Sequence, residues 1–381
     1  MRVIIMKILA IHAEGLPLFK AGIDIGFTAT QRVSDDDKGS LIKLFNNIYL
    51  NPTAAIIGIN ASGKTSVLKV VLVALGILNN EPINHIGARD ILGKADDSFI
   101  TTIFCADRFL YKLVTKISYI NDRYVISDET IFKKCIDDIK TKKTMLDFDD
   151  SMIINTRHGD EEFLSDDVSI VIAQNKKSKQ YIFIEDMLSY TNINVLPASD
   201  EIPESVITFL DPTIQKLSFE RQNGKELIHL KFMNQDEILL NNSRELENYL
   251  SSGTIKGIIT FSKAMEVLKQ GGYFVIDEVE NHFNKEIVAT LIRFFMDIKL
   301  NKNGAVLIFS THYPELLDEY DRNDSIYITR NHDGIELKSL TEVLKRNDIK
   351  RSDAYQSGLL DGTTPSYKAY MQLKKSIAAY V

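Results

Sequence analysis

Short apolar runs alternate with helical stretches along much of the chain. The run Ala54–Ile57 is apolar and ends at Gly58, which is typical of a buried strand. The next segment, Thr65–Leu78, is apolar nearly all round, which predicts a buried helix. Two more apolar runs, Tyr273–Ile276 and Ala305–Phe309, enclose a segment with the amphipathic helix period. This alternation predicts an α/β fold with a parallel core sheet covered by helices.

Shorter strand-like runs occupy other parts of the chain. Residues 7–50 and 99–120 contain several of them, and we expect an antiparallel side sheet attached to the core. Near the other end, a pair of strands is predicted over residues 325–339 and a helix over residues 366–378.

The segment from about 121 to 204 has a mixed pattern. A helix is predicted over Glu129–Met145, followed by strands over Val168–Ala173 and Tyr181–Glu185. No heptad repeat runs beyond two turns, which disfavours a long coiled-coil arm. We therefore expect a mixed α/β insertion that makes contacts with a partner or with a second copy.

The composition is that of an ordinary globular chain. The 381 residues are 44% hydrophobic and 25% charged, unlike a disordered or collagen-like chain. The longest apolar run, Val70–Leu78, is nine residues, far short of a membrane span. Residues Met1–Lys7 lack the long apolar core of a signal peptide. We therefore expect a soluble protein with no membrane partner.

Cysteine content and charge refine this expectation. Cys105 and Cys135 stand 30 residues apart without a Cys-x-x-Cys pair, so no zinc site or disulfide framework is predicted and a cytoplasmic location is expected. The formal net charge is −7, which disfavours the coating of a polyanion but allows a local basic patch. Residues 121–170 hold 13 Asp or Glu against 7 Lys or Arg, so the acidity is concentrated there and the rest of the chain is nearly neutral.

The loop after the first buried strand matches the phosphate-binding pattern G-x-x-x-x-G-K-[S/T]. Glycines let backbone N–H groups wrap closely around phosphate oxygens, and the helix that follows adds its positive end. Lys64 is predicted to reach the β- and γ-phosphates, and the Thr65 hydroxyl to bind Mg²⁺. The residues predicted to bind the nucleotide here are Gly58, Asn60, Ala61, Ser62, Gly63, Lys64, Thr65 and Ser66. A mere tight turn is disfavoured, because the motif lies between a buried strand and a buried helix.

Two carboxylates follow the apolar run that ends at Ile276. They stand at the carboxyl end of a predicted parallel strand, where ligands bind in α/β sheets. Asp277 is predicted to hold Mg²⁺ and Glu278 to polarise the attacking water as a general base. Alone this pair would be read as a solvated strand end. Because a phosphate-binding pattern with Lys64 stands 213 residues earlier, a catalytic role for the pair is favoured.

Two further segments complete the set of candidate residues. His312 directly follows the last core strand and is predicted to contact the γ-phosphate, although a lone histidine there is more often structural. The sequence Leu250–Thr254 places Ser251, Ser252 and Gly253 before a predicted helix. Hydroxyls and a glycine at a helix N-terminus predict a second phosphate-binding segment, with an ordinary helix cap as the alternative.

These four elements, in this order, resemble the ATP-binding-cassette (ABC) ATPases. The residues at 58–65 resemble Walker A, Asp277 and Glu278 the end of Walker B, Leu250–Thr254 the signature motif, and His312 the switch histidine. The resemblance implies a P-loop ATPase head of the ABC type that binds ATP with Mg²⁺ and forms a dimer on ATP. In such dimers each nucleotide lies between the Walker motifs of one subunit and the signature serine and glycine of the other.

Two departures direct the resemblance to one branch of these ATPases. Glu278 is followed by Val279-Glu280-Asn281-His282-Phe283 rather than by the transporter stretch Pro-Thr-Ser-Ala-Leu-Asp, and the signature reads Ser-Ser-Gly-Thr. Both are similar to RecF, the SMC proteins and the overcoming-lysogenization-defect (OLD) nucleases, and most of all to the OLD-like AAA ATPases. The superfamily's glutamine loop has no clear position, with Gln174 and residues 196–199 as the candidates.

The resemblance also implies a domain division and a biological role. It predicts an ATPase head split over residues 1–120 and 205–345, an inserted acidic subdomain at 121–204, and a C-terminal extension at 346–381. Only 69 residues follow His312, fewer than the nuclease domain of OLD proteins needs. We therefore expect an ATPase that senses or holds a separate effector, a toxin or nuclease, in bacterial anti-phage defence.

Further expectations concern partners and alternatives. The protein is expected to form a homodimer or a higher homo-oligomer, and DNA is an allowed partner. The alternative function is DNA repair or chromosome maintenance, like that of RecF or SMC heads. A transporter nucleotide-binding subunit is disfavoured by the residues after Glu278.

Overall fold

The computed structural model describes residues 6–159, 164–178, 181–188, 202–222, 225–281, 283–345, 349–360 and 367–380. The strands of this part of the chain are β1 (Lys7–Glu14), β2 (Ile23–Gly26), β3 (Ile42–Phe45), β4 (Ile48–Leu50), β5 (Thr53–Ile57), β6 (Ser98–Ala106), β7 (Phe109–Ile120), β8 (Arg123–Cys135), β9 (Ile153–His158), β10 (Ile184–Asp186), β11 (Ile214–Gln222), β12 (Lys225–Phe232), β13 (Ile238–Leu240), β14 (Tyr273–Ile276), β15 (Val306–Thr311), β16 (Ile326–Asn331) and β17 (Ile335–Ser339). The α-helices are α1 (Lys64–Leu78), α2 (Lys142–Leu146), α3 (Ile172–Ser178), α4 (Glu204–Leu210), α5 (Ser252–Gln270), α6 (Lys285–Met296), α7 (Leu340–Val343), α8 (Arg351–Gln356) and α9 (Tyr367–Tyr380). Short 3-10 helices span Asp36–Gly39, Ile83–His85, Arg89–Ile91, Ile136–Asp138, Asp150–Met152, Ser243–Asn248 and Pro314–Glu319.

The core is a six-stranded sheet in the order β10-β14-β15-β5-β16-β17. The first five strands run parallel and only β17 is antiparallel to its neighbour. The predicted parallel core is therefore confirmed. Its central strands are fully buried, which explains why they appear in the sequence as unbroken apolar runs.

Helices cover both faces of this sheet. Ala54 and Ile56 pack with α1 in one hydrophobic cluster, while Ala55 and Ile57 pack with α5 and α6 in another. This alternation follows from the two-residue period of a strand. Helix α1 also packs against the side sheet, so it is enclosed between two sheets, which accounts for its apolar residues on nearly every side.

The side sheet has six antiparallel strands in the order β2-β1-β6-β7-β8-β9. Its existence over residues 7–50 and 99–120 was predicted, and it is confirmed for β1, β2, β6 and β7. Strands β8 and β9 extend it into the segment predicted to be an insertion. A separate three-stranded sheet consists of β11, β12 and β13, and β3 pairs with β4.

The predicted helix over Glu129–Met145 is wrong. Residues 123–135 form β8, which pairs along β7, Ile136–Asp138 forms a 3-10 turn, and only Lys142–Leu146 is α-helical. The two strands are joined at Asn121 and Asp122, which both have positive φ. A two-residue connection with positive φ at both positions suits a tight hairpin, and the cross-strand contacts outweigh the local helical period.

The rest of the predicted insertion also differs from expectation. The strand predicted over Val168–Ala173 is wrong, because no strand forms there and α3 begins at Ile172. The strand predicted over Tyr181–Glu185 is shifted toward the C-terminus. It is β10, Ile184–Asp186, and it forms the edge of the core sheet. The described parts of this segment therefore join both sheets, while the domain division itself stays a prediction.

Elements near the other end agree with expectation. Strands β16 and β17 form the predicted pair, and α9 covers the predicted C-terminal helix. Cys105 and Cys135 are free thiols. Among the described helices, none combines the length and the apolar character needed to cross a membrane.

A buried lysine joins the side sheet to the core. Lys7 on β1 is 3% exposed, and its ammonium donates a hydrogen bond to the carbonyl of Gly271, just before β14. Next to it, the Tyr273 hydroxyl accepts a hydrogen bond from the Ile8 N–H at 2.7 Å. Burial lowers the pKa of Lys7 to about 8, because the charged form loses its hydration.

We expect Lys7 to make stability depend on pH in the alkaline range. Between pH 8 and the ordinary lysine pKa of 10.5, the unfolded chain keeps a proton that the folded protein has lost, so the free energy of unfolding rises with pH. Across this window the wild type should gain about 3 kcal/mol relative to Lys7→Met. Urea denaturation at several pH values measures the difference. Lys43→Met, at an exposed position, is the control and should show no such slope.

Candidate nucleotide-binding site

Three of the predicted motifs meet at one edge of the core sheet. Strands β14, β15 and β5 are parallel neighbours, so the segments that follow them emerge side by side. These segments carry Asp277 and Glu278, His312, and the loop that leads to Lys64. The edge beyond the carboxyl ends of parallel strands is where α/β proteins bind ligands.

The loop between β5 and α1 has the backbone expected of a phosphate cradle. Ala61 and Gly63 have positive φ values of 61° and 102°, which turn the chain back on itself before the helix. A Cβ atom at Gly58 would lie 2.2 Å from the Ser62 hydroxyl oxygen and 2.3 Å from that of Thr329. Those two hydroxyl oxygens are 2.6 Å apart and hydrogen-bonded. Glycine is therefore required at position 58 by a close contact, and at position 63 by the left-handed backbone.

The Lys64 side chain turns back into this loop. Its ammonium donates hydrogen bonds to the carbonyls of Gly58 at 3.0 Å and Ile59 at 3.3 Å, and lies 3.4 Å from Nδ1 of His312. Burial lowers the pKa of Lys64, whereas the negative charges of Asp277, Glu278 and Glu280 raise it. The lysine thus provides one partly desolvated cation at the mouth of the loop.

Thr65 and Asp277 are brought together as the Mg²⁺ prediction requires. The Thr65 hydroxyl donates to one carboxylate oxygen of Asp277 at 2.6 Å, and the Ser310 hydroxyl donates to the other oxygen. A hard cation prefers such oxygen ligands. In the described chain no group of three or more His, Cys, Asp or Glu side chains is arranged to hold a metal. The pair therefore offers oxygen ligands of the kind that would hold a Mg²⁺ ion.

Glu278 is held in an unusual conformation beside His312. Its φ is +47°, rare for a residue other than glycine, and its N–H donates to the Ser310 hydroxyl at 2.7 Å. One carboxylate oxygen accepts from the Asn281 amide at 3.0 Å, and the other lies 3.6 Å from Nε2 of His312. Backbone strain of this kind is concentrated at functional sites.

These groups line a cleft of about 310 Å³, within the range of ligand pockets. Its lining includes residues predicted from the sequence, namely Asn60, Ala61, Gly63, Lys64, Thr65, Ser66, Glu278 and His312. Three others, Leu18, Asn331 and Ile335, were not predicted. Leu18 is half exposed and its carbonyl accepts the Ile335 N–H, and the Asn331 amide donates to the Ala61 carbonyl at 3.0 Å. No local motif marks these residues, because only the fold brings them to the loop.

The signature segment lies apart from this cleft. Ser251 caps α5, with its hydroxyl oxygen accepting the Thr254 N–H at 3.0 Å. Ser251 and Ser252 are exposed. In the described part of the chain, no residue of this segment lines the cleft around Lys64. The segment is therefore open to another molecule, and its role toward a nucleotide stays a prediction.

Of the glutamine-loop candidates, Gln174 is not supported by the fold. Gln174 lies on α3, whose neighbouring Asn175 donates to the carbonyl of Leu78 at the far end of α1. The length of that helix puts this point roughly 20 Å from the phosphate loop. Residues 196–199 lie outside the described part of the chain, as does His282.

Comparison with known proteins assigns this chain to no family. No protein-family model matches the sequence, and no curated protein matches it. One solved structure to which this chain is similar is the crystal structure of the SmcHead bound to the C-winged helix domain of ScpA. The two chains are 14% identical with a TM-score of 0.48, over 89% of this chain and 99% of that one. Membership of the OLD-like ATPases stays a prediction from the motifs.

We expect Gly58→Ala to destabilise the protein, because the new Cβ atom would overlap the Ser62 and Thr329 hydroxyl groups. The free energy of unfolding should fall by about 1–3 kcal/mol, measured by urea denaturation. Gly87→Ala is the matched control, since nothing lies within 4 Å of a Cβ atom there. A Gly58→Ala protein as stable as the Gly87→Ala protein would contradict the packing described for the loop.

Proposed function

We propose that the protein is an ATPase of the ABC type that binds ATP with Mg²⁺ in the cleft beside α1. The observation that carries this proposal is the convergence of Lys64, Thr65, Asp277, Glu278 and His312 at one edge of the sheet. These residues come from three separate stretches of the chain. In the proposed site each has a part in the hydrolysis of a phosphoric anhydride.

The phosphate loop supplies the binding groups. Backbone N–H groups of residues 61–66 and the N-terminus of α1 attract the phosphate oxygens. Lys64 leaves its carbonyl partners in the loop and neutralises the β- and γ-phosphates. Leu18 and Ile335 provide an apolar wall beside the loop, against which the nucleoside rests. Thr65 and Asp277 hold Mg²⁺, which supplies charge neutralisation at the phosphates when bound.

Hydrolysis then depends on the groups that follow β14 and β15. Glu278 accepts a proton from the attacking water while that water's oxygen bonds to the γ-phosphorus and the bond to the β–γ bridging oxygen breaks. The Asn281 amide holds one oxygen of Glu278 and leaves the other toward His312. The His312 ring stands between Lys64 and Glu278, where it can donate to a γ-phosphate oxygen.

The exposed start of α5 supports a dimer as the active form. Ser251, Ser252 and Gly253 do not reach the cleft of their own chain, yet they present hydroxyl groups and a helix N-terminus to the surrounding solvent. Such a surface binds phosphate oxygens. We propose that it closes on the nucleotide held by a second copy, so that each ATP lies between two chains and hydrolysis releases them.

The biological role that we propose follows from the motif resemblance alone. In this role the ATP-dependent dimer senses or holds a separate toxin or nuclease during anti-phage defence. Protection in phage plaque assays that is lost with Glu278→Gln would support it. Absence of protection by the protein alone, and also when it is expressed together with the product of the gene adjacent to its own, would count against it.

A second candidate role is DNA repair or chromosome maintenance. Lysine–aromatic pairs across the strands of the side sheet favour it, with Lys112 lying 5.0 Å from the Phe132 ring centroid and Lys116 lying 5.8 Å from that of Phe99. Basic and aromatic side chains are the groups that hold single-stranded nucleic acid. ATP-dependent DNA binding that weakens steeply with salt would support this role.

We expect Glu278→Gln to retain ATP binding and to lose hydrolysis. The amide keeps the shape of the side chain but cannot accept the proton, so kcat should fall by about a hundredfold or more. ATP should then trap a dimer, seen by light scattering. Glu286→Gln, at an exposed position on α6, should behave like the wild type. Undiminished hydrolysis by Glu278→Gln would remove Glu278 from the catalytic role.

Mixing two inactive variants tests whether the sites are shared between chains. Lys64→Ala disables the phosphate loop, and Ser252→Arg blocks the start of α5 while leaving the Ser251 cap in place. In a mixed dimer one site combines the intact loop of one chain with the intact signature segment of the other. We therefore expect the mixture to regain ATPase activity that neither variant shows alone. A mixture as inactive as its components would indicate sites within single chains.

A further inference from the structure

A third carboxylate stands at the site with no role in the chemistry described above. Glu280 lies two residues beyond Glu278 and is only 8% exposed. The turn that contains it departs from the transporter pattern, yet the sequence assigns this glutamate no function. Buried carboxylates are costly unless something compensates for the loss of water, so its position calls for a physical reason.

The two carboxylate oxygens of Glu280 differ in their hydrogen bonding. One carboxylate oxygen accepts a hydrogen bond from the backbone N–H of His312. The other is buried and, among the described residues, has no hydrogen-bond partner. A carboxylate that served only to stabilise the turn would be expected to have both oxygens satisfied. An unpaired buried oxygen lowers stability, and such costs are found where function requires a particular arrangement.

The bond from Glu280 belongs to a set of contacts between the turns after β14 and β15. In the opposite direction, the Ser310 hydroxyl accepts the Glu278 N–H at 2.7 Å, and the Ser310 carbonyl accepts the Val279 N–H at 3.0 Å. Ser310 thus fixes the backbone of the general base. Glu280 does the same for the backbone of the histidine.

We propose that Glu280 is the positioning residue for His312, an inference that rests on the proposed ATPase function. Its carboxylate fixes the first peptide unit after β15, and this places the imidazole between Lys64 and Glu278. The distances from the ring are 3.4 Å to the Lys64 ammonium and 3.6 Å to the Glu278 carboxylate. A small rotation of the His312 backbone would break both. Glu280 acts through His312 and touches no reacting atom.

Two substitutions separate the hydrogen bond from the charge. Glu280→Ala removes the acceptor, and we expect kcat to fall by about tenfold to a hundredfold, the cost of misplacing a catalytic group, while the Kd for ATP changes less than about twofold. Glu280→Gln keeps an amide oxygen as the acceptor and should retain most of the wild-type kcat. Glu286→Ala, which removes an exposed carboxylate on α6, is the matched control and should leave both quantities unchanged.

A double-mutant cycle shows whether the effect passes through His312. If Glu280 acts only by positioning the histidine, Glu280→Ala should cause no further loss of kcat in a His312→Ala background. A structural role would lower kcat by the same factor in both backgrounds. Equal losses, or a Glu280→Ala enzyme with the wild-type kcat, would overturn the proposal.

A second measurement does not depend on hydrolysis. Nuclear magnetic resonance of the histidine rings, with His312 assigned by its absence in His312→Ala, should show a shifted or broadened His312 signal in Glu280→Ala and a nearly normal one in Glu280→Gln. An unchanged signal in a folded Glu280→Ala protein would overturn the positioning role. A wild type that neither binds nor hydrolyses ATP would instead reject the proposed function, while the ring signal would still test the position of His312.

Discussion

The parallel pairing of β14, β15 and β5 is the constraint on which the site depends. Their register places Thr311 beside Ile57 and Ile276 beside Phe309, so β15 and β5 end at the same level and β14 ends two residues before them. The following segments emerge next to each other and within hydrogen-bonding distance. This is how the Thr65 hydroxyl reaches the Asp277 carboxylate at 2.6 Å, although 212 positions separate them in the chain. A shift of one residue in either pairing would turn these side chains to the opposite face.

The charges around Lys64 explain why the candidate loop alone would not suffice to bind a polyphosphate. Three carboxylates, those of Asp277, Glu278 and Glu280, lie close enough to influence the Lys64 ammonium. A polyphosphate that enters this cleft meets more negative than positive side-chain charge. Backbone dipoles at the start of α1 offset part of the repulsion, and a divalent cation between Thr65 and Asp277 would offset much of the rest. The proposed dependence on Mg²⁺ is therefore a consequence of the local charge balance.

The candidate site was largely predictable because its residues are adjacent in sequence to strand ends. A buried strand followed by a glycine-rich loop, or by two carboxylates, is a local pattern. Each of these patterns lies at the end of the core strand after which it was predicted. Leu18, Asn331 and Ile335 could not be found in this way, because they come from other elements that pack against the loop. The role of Glu280 was hidden for the same reason, since its bond is to the backbone of a residue on a different strand.

The sequence by itself determined the alternation of strands and helices in the core, the candidate phosphate loop and the acidic pair, because these depend on local periodicity and on short motifs. Only the tertiary structure decided the course of the described residues between 121 and 188. A helix was predicted over Glu129–Met145, yet pairing with β7 makes residues 129–135 part of strand β8. Likewise, β10 becomes the edge of the core sheet only because β14 lies beside it. Hydrogen bonds and side-chain contacts between strands distant in the chain override a weak local preference, and no pattern within one segment reveals which partner it will meet.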